Sequence, residues 1–402
     1  MDSEHESIRL LYLTYNENVL ESGILRSQVR EMLAEMIRRS DIEYIRLLSF
    51  ISPRLWMKRR HGFNRLVREL KEDGIDFRVR LMPAAQTWSW CAVPLFTATC
   101  LPVLLSHLRK DRFNVIHARG YGAGWLAYSG TRMFGTKFVF DPRGLFPEEM
   151  VLNGTWRKGG RTFRFWKALE RKIIVGCDAV VALTPRFRRD YLALGSKKAI
   201  FAPSRLNVEP FASAAAETAD NKRNLLFIGE MDSEWNSPVR VAMHFKRLKV
   251  VVPDLKLRLI TRKDPRYVKQ VLDAEGLDRA DWTLESARPE EMPGRMAGSG
   301  IGLAMAFRPS GNWPMKYSEY LACGIPVAVE REIGEHITGP VQRWKLGIVL
   351  DETDPDNYSA VAEVLNNRAE YTERCIRYAQ SKLDISHTSA QYARLYRELL
   401  KS

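Results

Sequence analysis

Lys316 and Glu319 stand three residues apart in the stretch Arg308–Val327, RPSGNWPMKYSEYLACGIPV. A loop rich in Gly, Pro and Ser leads into a short helical pattern that carries both. Gly324 ends that pattern as a C-terminal cap. The first turn of a helix offers unpaired N–H groups and the positive end of its dipole, so a loop entering a helix start is an anion site. Lys316 adds a cation there, and Gly311, Pro314 and Met315 supply the backbone of the approach. Glu319 lies one turn in, where a carboxylate accepts hydrogen bonds from ribose hydroxyls. This pattern describes a nucleoside diphosphate pocket; a solvated helix carboxylate is the competing reading of Glu319.

The first half carries a second polar set. His117 closes the apolar run of NVIHARG. An imidazole at the carboxyl end of a strand is placed for a substrate contact, with a core histidine as the alternative. Asp141, Arg143 and Glu149 follow the next apolar run, DPRGLFPEE, as acceptor contacts or as a structural Asp–Arg pair. Gly120–Gly124 reads GYGAG, but Trp125 takes the third glycine position and the run follows a fourth strand, which excludes a dinucleotide loop. Asp354-Pro355-Asp356 reads as a helix cap, and no metal site is expected.

The segment Glu319-Tyr-Leu-Ala-Cys-Gly-Ile-Pro-Val327 resembles the second half of the E-x7-E signature of retaining glycosyltransferases of family 4. Gly311 stands where the first Glu would be, a departure shared by a subgroup with P-x-K-x-x-E-Y-L-A-x-G, which Pro314 and Lys316 fit. The blocks D-x-R-G-x-x-P-E-E and D-A-V-V-A-L-T are also present in order. The resemblance implies the GT-B fold, a nucleotide-diphosphate sugar as co-substrate, no cofactor and no metal. It implies that Glu319 holds the donor ribose and that His117 lies near the transferred sugar. It places Gly23 and Arg26 in a glycine loop near donor phosphate and acceptor. The basic pair expected after Gly229 is absent, and Arg240, Arg262 or Lys263 are candidate substitutes. Ser286-Ala287-Arg288 would read the base.

These residues need elements to hold them. Short apolar runs alternate with amphipathic helical patterns at Ile8–Tyr15, Tyr44–Phe50, Phe77–Leu81, Val115–His117, Lys137–Asp141, Ala179–Leu183 and Ala199–Ala202. The alternation restarts at Asn224–Gly229, Lys256–Thr261, Gly300–Ala304 and Pro326–Val329. That predicts α/β architecture: two Rossmann-like, doubly wound parallel-sheet domains, facing across a cleft. The expected boundaries are 1–210 for the acceptor-side domain, 211–223 for a linker, 224–385 for the donor domain, and 386–402 for a terminal helix crossing back.

Composition bounds the rest. With 45% hydrophobic and 27% charged residues the chain is globular, not disordered. Five cysteines without a CxxC pair argue against a disulfide framework or a zinc site. With no secretory pattern at the start, a cytoplasmic protein is expected. The net charge of +14 calls for an anionic partner. Basic runs at Arg54–Arg68 and Arg157–Lys172 suit an anionic membrane surface, and hence a peripheral place on the inner face of the plasma membrane. No nucleic-acid motif accompanies the charge. The expected function is sugar transfer to a glycan or lipid-linked acceptor in surface polysaccharide or glycolipid synthesis. A nucleotide-sugar epimerase and a non-catalytic sugar-nucleotide-binding protein are the alternatives.

Overall fold

The computed structural model describes residues 7–17, 20, 25–39, 42–82, 89–218, 223–231, 236–262, 265–306 and 313–402, with the backbone alone for Arg26, Ser27, Arg132 and Pro355. It contains two compact units, Met1–Pro203 with Ile385–Ser402, and Ser204–Asp384.

Unit 1 is a seven-stranded sheet of β1 (Arg9–Tyr15), β2 (Tyr44–Ile51), β3 (Ile75–Leu81), β4 (Val115–Arg119), β5 (Lys137–Asp141), β6 (Ala179–Ala182) and β7 (Ala199–Phe201), in the order β3-β2-β1-β4-β5-β6-β7. Every pairing is parallel. The central runs are mostly apolar because both faces are covered, by helices that include α1 (Met32–Arg38), α2 (Pro53–Glu72), α3 (Ala92–Asp111), α4 (Gly120–Gly130) and α5 (Arg161–Gly176), whereas the edge strand β3 carries Asp76, Arg78 and Arg80. The chain reverses its direction of growth between β1 and β4. That switch point is where such sheets open a crevice at their carboxyl ends.

Unit 2 repeats the plan with six strands: β8 (Asn224–Ile228), β9 (Lys256–Ile260), β10 (Trp282–Glu285), β11 (Ile301–Ala304), β12 (Val327–Glu330) and β13 (Gly347–Leu350). Their order is β10-β9-β8-β11-β12-β13, with the switch point between β8 and β11. The two-domain doubly wound fold is therefore as expected.

The boundaries differ from the expected ones. The first unit ends at Pro203, and the supposed linker begins with α6 (Glu209–Ala216). The alanine-rich run FASAAA has high helix propensity, and its small side chains pack on unit 2. Further along lie α7 (Pro238–Val251), α8 (Met315–Ala322) and α9 (Ile385–Leu400). Helix α9 belongs to unit 1, where Tyr392, Leu395, Tyr396 and Leu399 join the core built on α1 and β1.

Candidate donor and acceptor sites

Helix α8 is fixed to the unit 2 sheet by its buried face. Tyr317, Tyr320 and Leu321 point inward. The Tyr320 hydroxyl accepts from the Ile228 N–H at 3.1 Å and donates to the Leu226 carbonyl at 3.3 Å. Its ring lies on Gly302, where a Cβ would come within 2.5 Å of it. The end of the helix is a Schellman motif. Gly324 sits at φ +66°, Ile325 N–H donates to Tyr320 O at 2.8 Å, and Gly324 N–H donates to Leu321 O at 3.1 Å.

With those residues committed, Lys316 and Glu319 share the opposite, partly exposed side. Lys316 Nζ donates to Asn236 Oδ1 at 2.7 Å and lies 3.8 Å from the Phe227 ring centre. It reaches there over Gly229, whose φ is +130° and whose missing Cβ would stand 3.4 Å from Nζ. The lysine therefore covers the carboxyl end of β8, next to the switch point. Burial pushes the Lys316 amine down to about 7, with Glu319 opposing and Arg240 reinforcing. Burial pushes the Glu319 carboxyl up to about 7 against the pull of Lys316. Its carboxylate makes no hydrogen bond among the described residues. A cation and an acceptor thus stand half-compensated together, ready for an anion and a hydroxyl.

The other donor-side candidates divide. Pro314 and Met315 form the start of α8, with Pro314 extended at ψ 124° and its carbonyl taking the Tyr317 N–H. Gly311, Gly23 and Lys263 lie outside the described residues, as does the side chain of Arg26. Arg262 is exposed after β9. Arg288 is engaged with Glu291. Its guanidinium folds onto Glu291 at 2.7 Å, its N–H donates to Glu291 Oε2 at 2.9 Å, and its carbonyl takes the Glu291 N–H. Glu291 thus engages the guanidinium, the N–H and the carbonyl of Arg288, the first in an exposed ion pair. Arg240 is likewise engaged, with Glu330 and, at 3.3 Å, with the Ala306 carbonyl. Glu330 also takes the Ala306 N–H at 2.6 Å and His244 Nε2 at 2.8 Å. With Glu352 these two form a grouping of metal-ligand types, but Glu330 and His244 are already committed to hydrogen bonds.

In unit 1 the largest correction concerns His117. It is 0% exposed, because β4 does not end there but runs on to Arg119. Tyr12 stacks on the imidazole at 4.8 Å, and Tyr396 of α9 shares a hydrogen bond with Nδ1 at 2.7 Å. Burial holds the ring below its ordinary pKa and hence neutral, although Asp141 pulls the other way. The ring stands beside Asp141, 3.6 Å from Nε2, and Nε2 is buried without a hydrogen-bond partner among the described residues.

Arg119 takes the strand-end place, opposite Thr14 and Asp141 in register. Its guanidinium donates to Glu17 at 2.9 Å and to Gln28 at 3.0 Å. Asp141 is buried beside Arg143, which reaches it at 3.4 Å from a left-handed backbone at φ +63°. Burial favours the neutral acid, but Arg143, His117 and Arg119 outweigh it and hold Asp141 at about 2. Asp141 Oδ1 and Arg119 Nη1 are buried without a hydrogen-bond partner among the described residues. One is an acceptor and the other a donor, a combination that receives a hydroxyl. Glu149 closes over Gly144, where an added Cβ would displace its carboxylate, and burial raises its carboxyl. The sequence reading missed Arg119 and Glu17. Alternation along β4 puts Arg119 on the same face as His117, two residues nearer the carboxyl end.

Residues 27–202 match the family model of the Glycosyl transferase 4-like domain. No curated protein sequence matches the chain. Among solved structures, a sucrose-phosphate synthase from Thermosynechococcus elongatus is similar at TM-score 0.69 and 14% identity, covering 98% of this chain and 99% of its own. A glycosyltransferase from Rickettsia africae gives TM-score 0.69 and 14% identity, covering 99% and 100%. HepE of Anabaena, solved with UDP, gives 0.65 and 12%, covering 96% and 99%. The chain thus has the glycosyltransferase-like GT-B fold, and its residues 27–202 are similar to the Glycosyl transferase 4-like domain.

Proposed function

We propose that the chain is a retaining glycosyltransferase that takes a nucleotide-diphosphate sugar in unit 2 and passes the sugar to a glycan or lipid-linked acceptor. The observation that carries this reading is Lys316 standing over Gly229 at the end of β8, with Glu319 one turn on in the same helix and in electrostatic reach of it. The diphosphate meets Lys316 and the first N–H groups of α8, and the ribose hydroxyls meet Glu319. As the glycosidic bond breaks, negative charge grows on the leaving diphosphate. Lys316 and the fixed N–H dipoles stabilise it without reorganising. The hydroxyl of the acceptor attacks from the face the diphosphate leaves, and a phosphate oxygen takes its proton. Asp141 and Arg119 serve the acceptor side through their unfilled positions. Anabaena HepE, which shares the fold, was solved with UDP, which supports a nucleotide as ligand.

Calorimetric titration with UDP, GDP and ADP, followed by hydrolysis assays on their sugars, tests the reading. Binding of one nucleoside diphosphate and slow release of its sugar are expected. Absence of binding by all three would remove the proposal, and binding without turnover of any sugar would leave a non-catalytic binding protein.

A further inference from the structure

Helix α3 is unusual among the described helices of unit 1. It is the one described helix long and apolar enough to cross a bilayer. Yet one stripe of it, Val93, Phe96, Cys100, Leu104 and Leu108, is buried against the unit. A helix fixed along one side lies on the body and does not leave it. Its other side is uncovered. Leu95 is 53% exposed and Trp90, in the turn before it, 48%. Pro94, Ala98 and Pro102 continue the face. Helix α4 packs beside it, Gly130 against Leu101 and Leu105, and the chain just beyond leaves Met133 71% exposed.

The end of the same helix changes character. Arg109, Lys110 and Arg112 follow the apolar face, and none has a carboxylate partner among the described residues. Lys110 and His107 line a recess of about 490 Å³ together with Arg46, Arg78 and Arg80 from β2 and β3. Four cations line the recess with one carboxylate, Asp111, and Asp76 stands behind Arg46 and Arg78. Both carboxylates are taken up by Arg46, and Asp76 also by Arg78 at 2.8 Å. Arg80 donates only to a carbonyl, that of Val79. Burial first, then the charges of Arg46 and Arg80, keep His107 below its ordinary pKa, as a positive recess requires.

We propose that the exposed face of α3 seats unit 1 on a bilayer, and that the Arg78–Arg80–Lys110 recess takes an anionic lipid headgroup. Interfacial binding needs apolar area and cations side by side, and each alone is weak. The basic helix α2 offers less of the first: Phe63, Leu66 and Leu70 are in the core, which leaves Met57 as the one strongly exposed large apolar side chain among its cations. Right-handed crossovers also put α2 and α3 on opposite faces of the sheet, so one membrane cannot lie flat on both.

Flotation of the full chain with phosphatidylglycerol-rich vesicles and with pure phosphatidylcholine vesicles tests this. Salt-sensitive binding to the first set and loss of binding on the second are expected. Arg78→Glu with Arg80→Glu should weaken binding by about tenfold or more. Leu95→Asp should do the same at a position exposed enough to leave the thermal melt unchanged. Arg60→Glu with Arg65→Glu on α2 makes the same change in charge and should weaken binding less than about threefold. Equal loss from the α2 pair, or no vesicle binding by the wild type, overturns the proposal, and capture of a protein partner by the same face would then be the alternative outcome. UDP affinity measured on the same variants should stay unchanged, which keeps this test apart from that of the donor site.

Discussion

The carboxyl ends of the two sheets are built on opposite electrostatic principles. In unit 1, Glu17, Arg119, Gln28, Asp141 and Arg143 form an interlocked set in which almost every charge faces its opposite. Asp141 is held fully ionised by that set. In unit 2, Lys316 and Glu319 are desolvated with little compensation, and both settle near pH 7. The first arrangement is a scaffold whose charges stabilise one another. The second is poised: a bound diphosphate supplies the charge that Lys316 lacks. The comparison teaches that a buried ion network holds shape, whereas an under-compensated pair holds affinity in reserve.

The largest expected effect comes from breaking the scaffold. Arg119→Met strands Glu17 and Asp141 and should lower stability by about 3 kcal/mol in denaturant titration. A loss under about 1 kcal/mol would mean the network is not mutually dependent. Next, Glu319→Ala should weaken nucleoside diphosphate binding by about 10–100-fold, the worth of hydrogen bonds to a charged group, while the melt is kept. Unchanged affinity in calorimetry takes Glu319 out of the site.

Lys316→Met should act in the reverse direction on stability. A lysine whose folded pKa is lowered to about 7 from 10.5 disfavours the folded state at every pH below 10.5, increasingly down to about 7 and constantly beneath it. The apolar variant should therefore be more stable by about 1–2 kcal/mol at neutral pH, after allowance for partial exposure, while losing the diphosphate. A lower melting temperature would contradict the contrast. The smallest effect is in pH dependence. Anion binding needs the protonated amine, so nucleotide affinity should fall as pH rises through about 7. Lys316→Arg should remove that limb.

Much of the fold was written in the chain's apolar runs. The strands of unit 1 fall where Val-, Ile- and Leu-rich segments are punctuated by helical periods, because a parallel sheet is covered on both faces. The two strands that escaped, Trp282–Glu285 and Gly347–Leu350, are the edges of the second sheet. The first mixes Thr and Glu into its four residues, and the second begins with a glycine packed on the Val327 backbone. Site legibility divided along similar lines. Lys316 and Glu319 were readable because one turn of helix fixes their spacing. Arg119 was not, since the carboxylate that lets an arginine end a buried strand is Glu17, 102 positions earlier. The burial of His117 was hidden for the same reason: the tyrosine that seals Nδ1, Tyr396, lies 279 positions later.

That seal has a consequence for how the protein is made. Unit 1 draws Tyr392, Leu395, Tyr396 and Leu399 from the end of the chain, after all of Ser204–Asp384 has been synthesised. At about 5–20 residues per second, the nascent first sheet waits roughly 10–40 s with that flank of its core open. During that interval the second sheet can pair while the first core is still open, so the two halves need not finish folding in their written order.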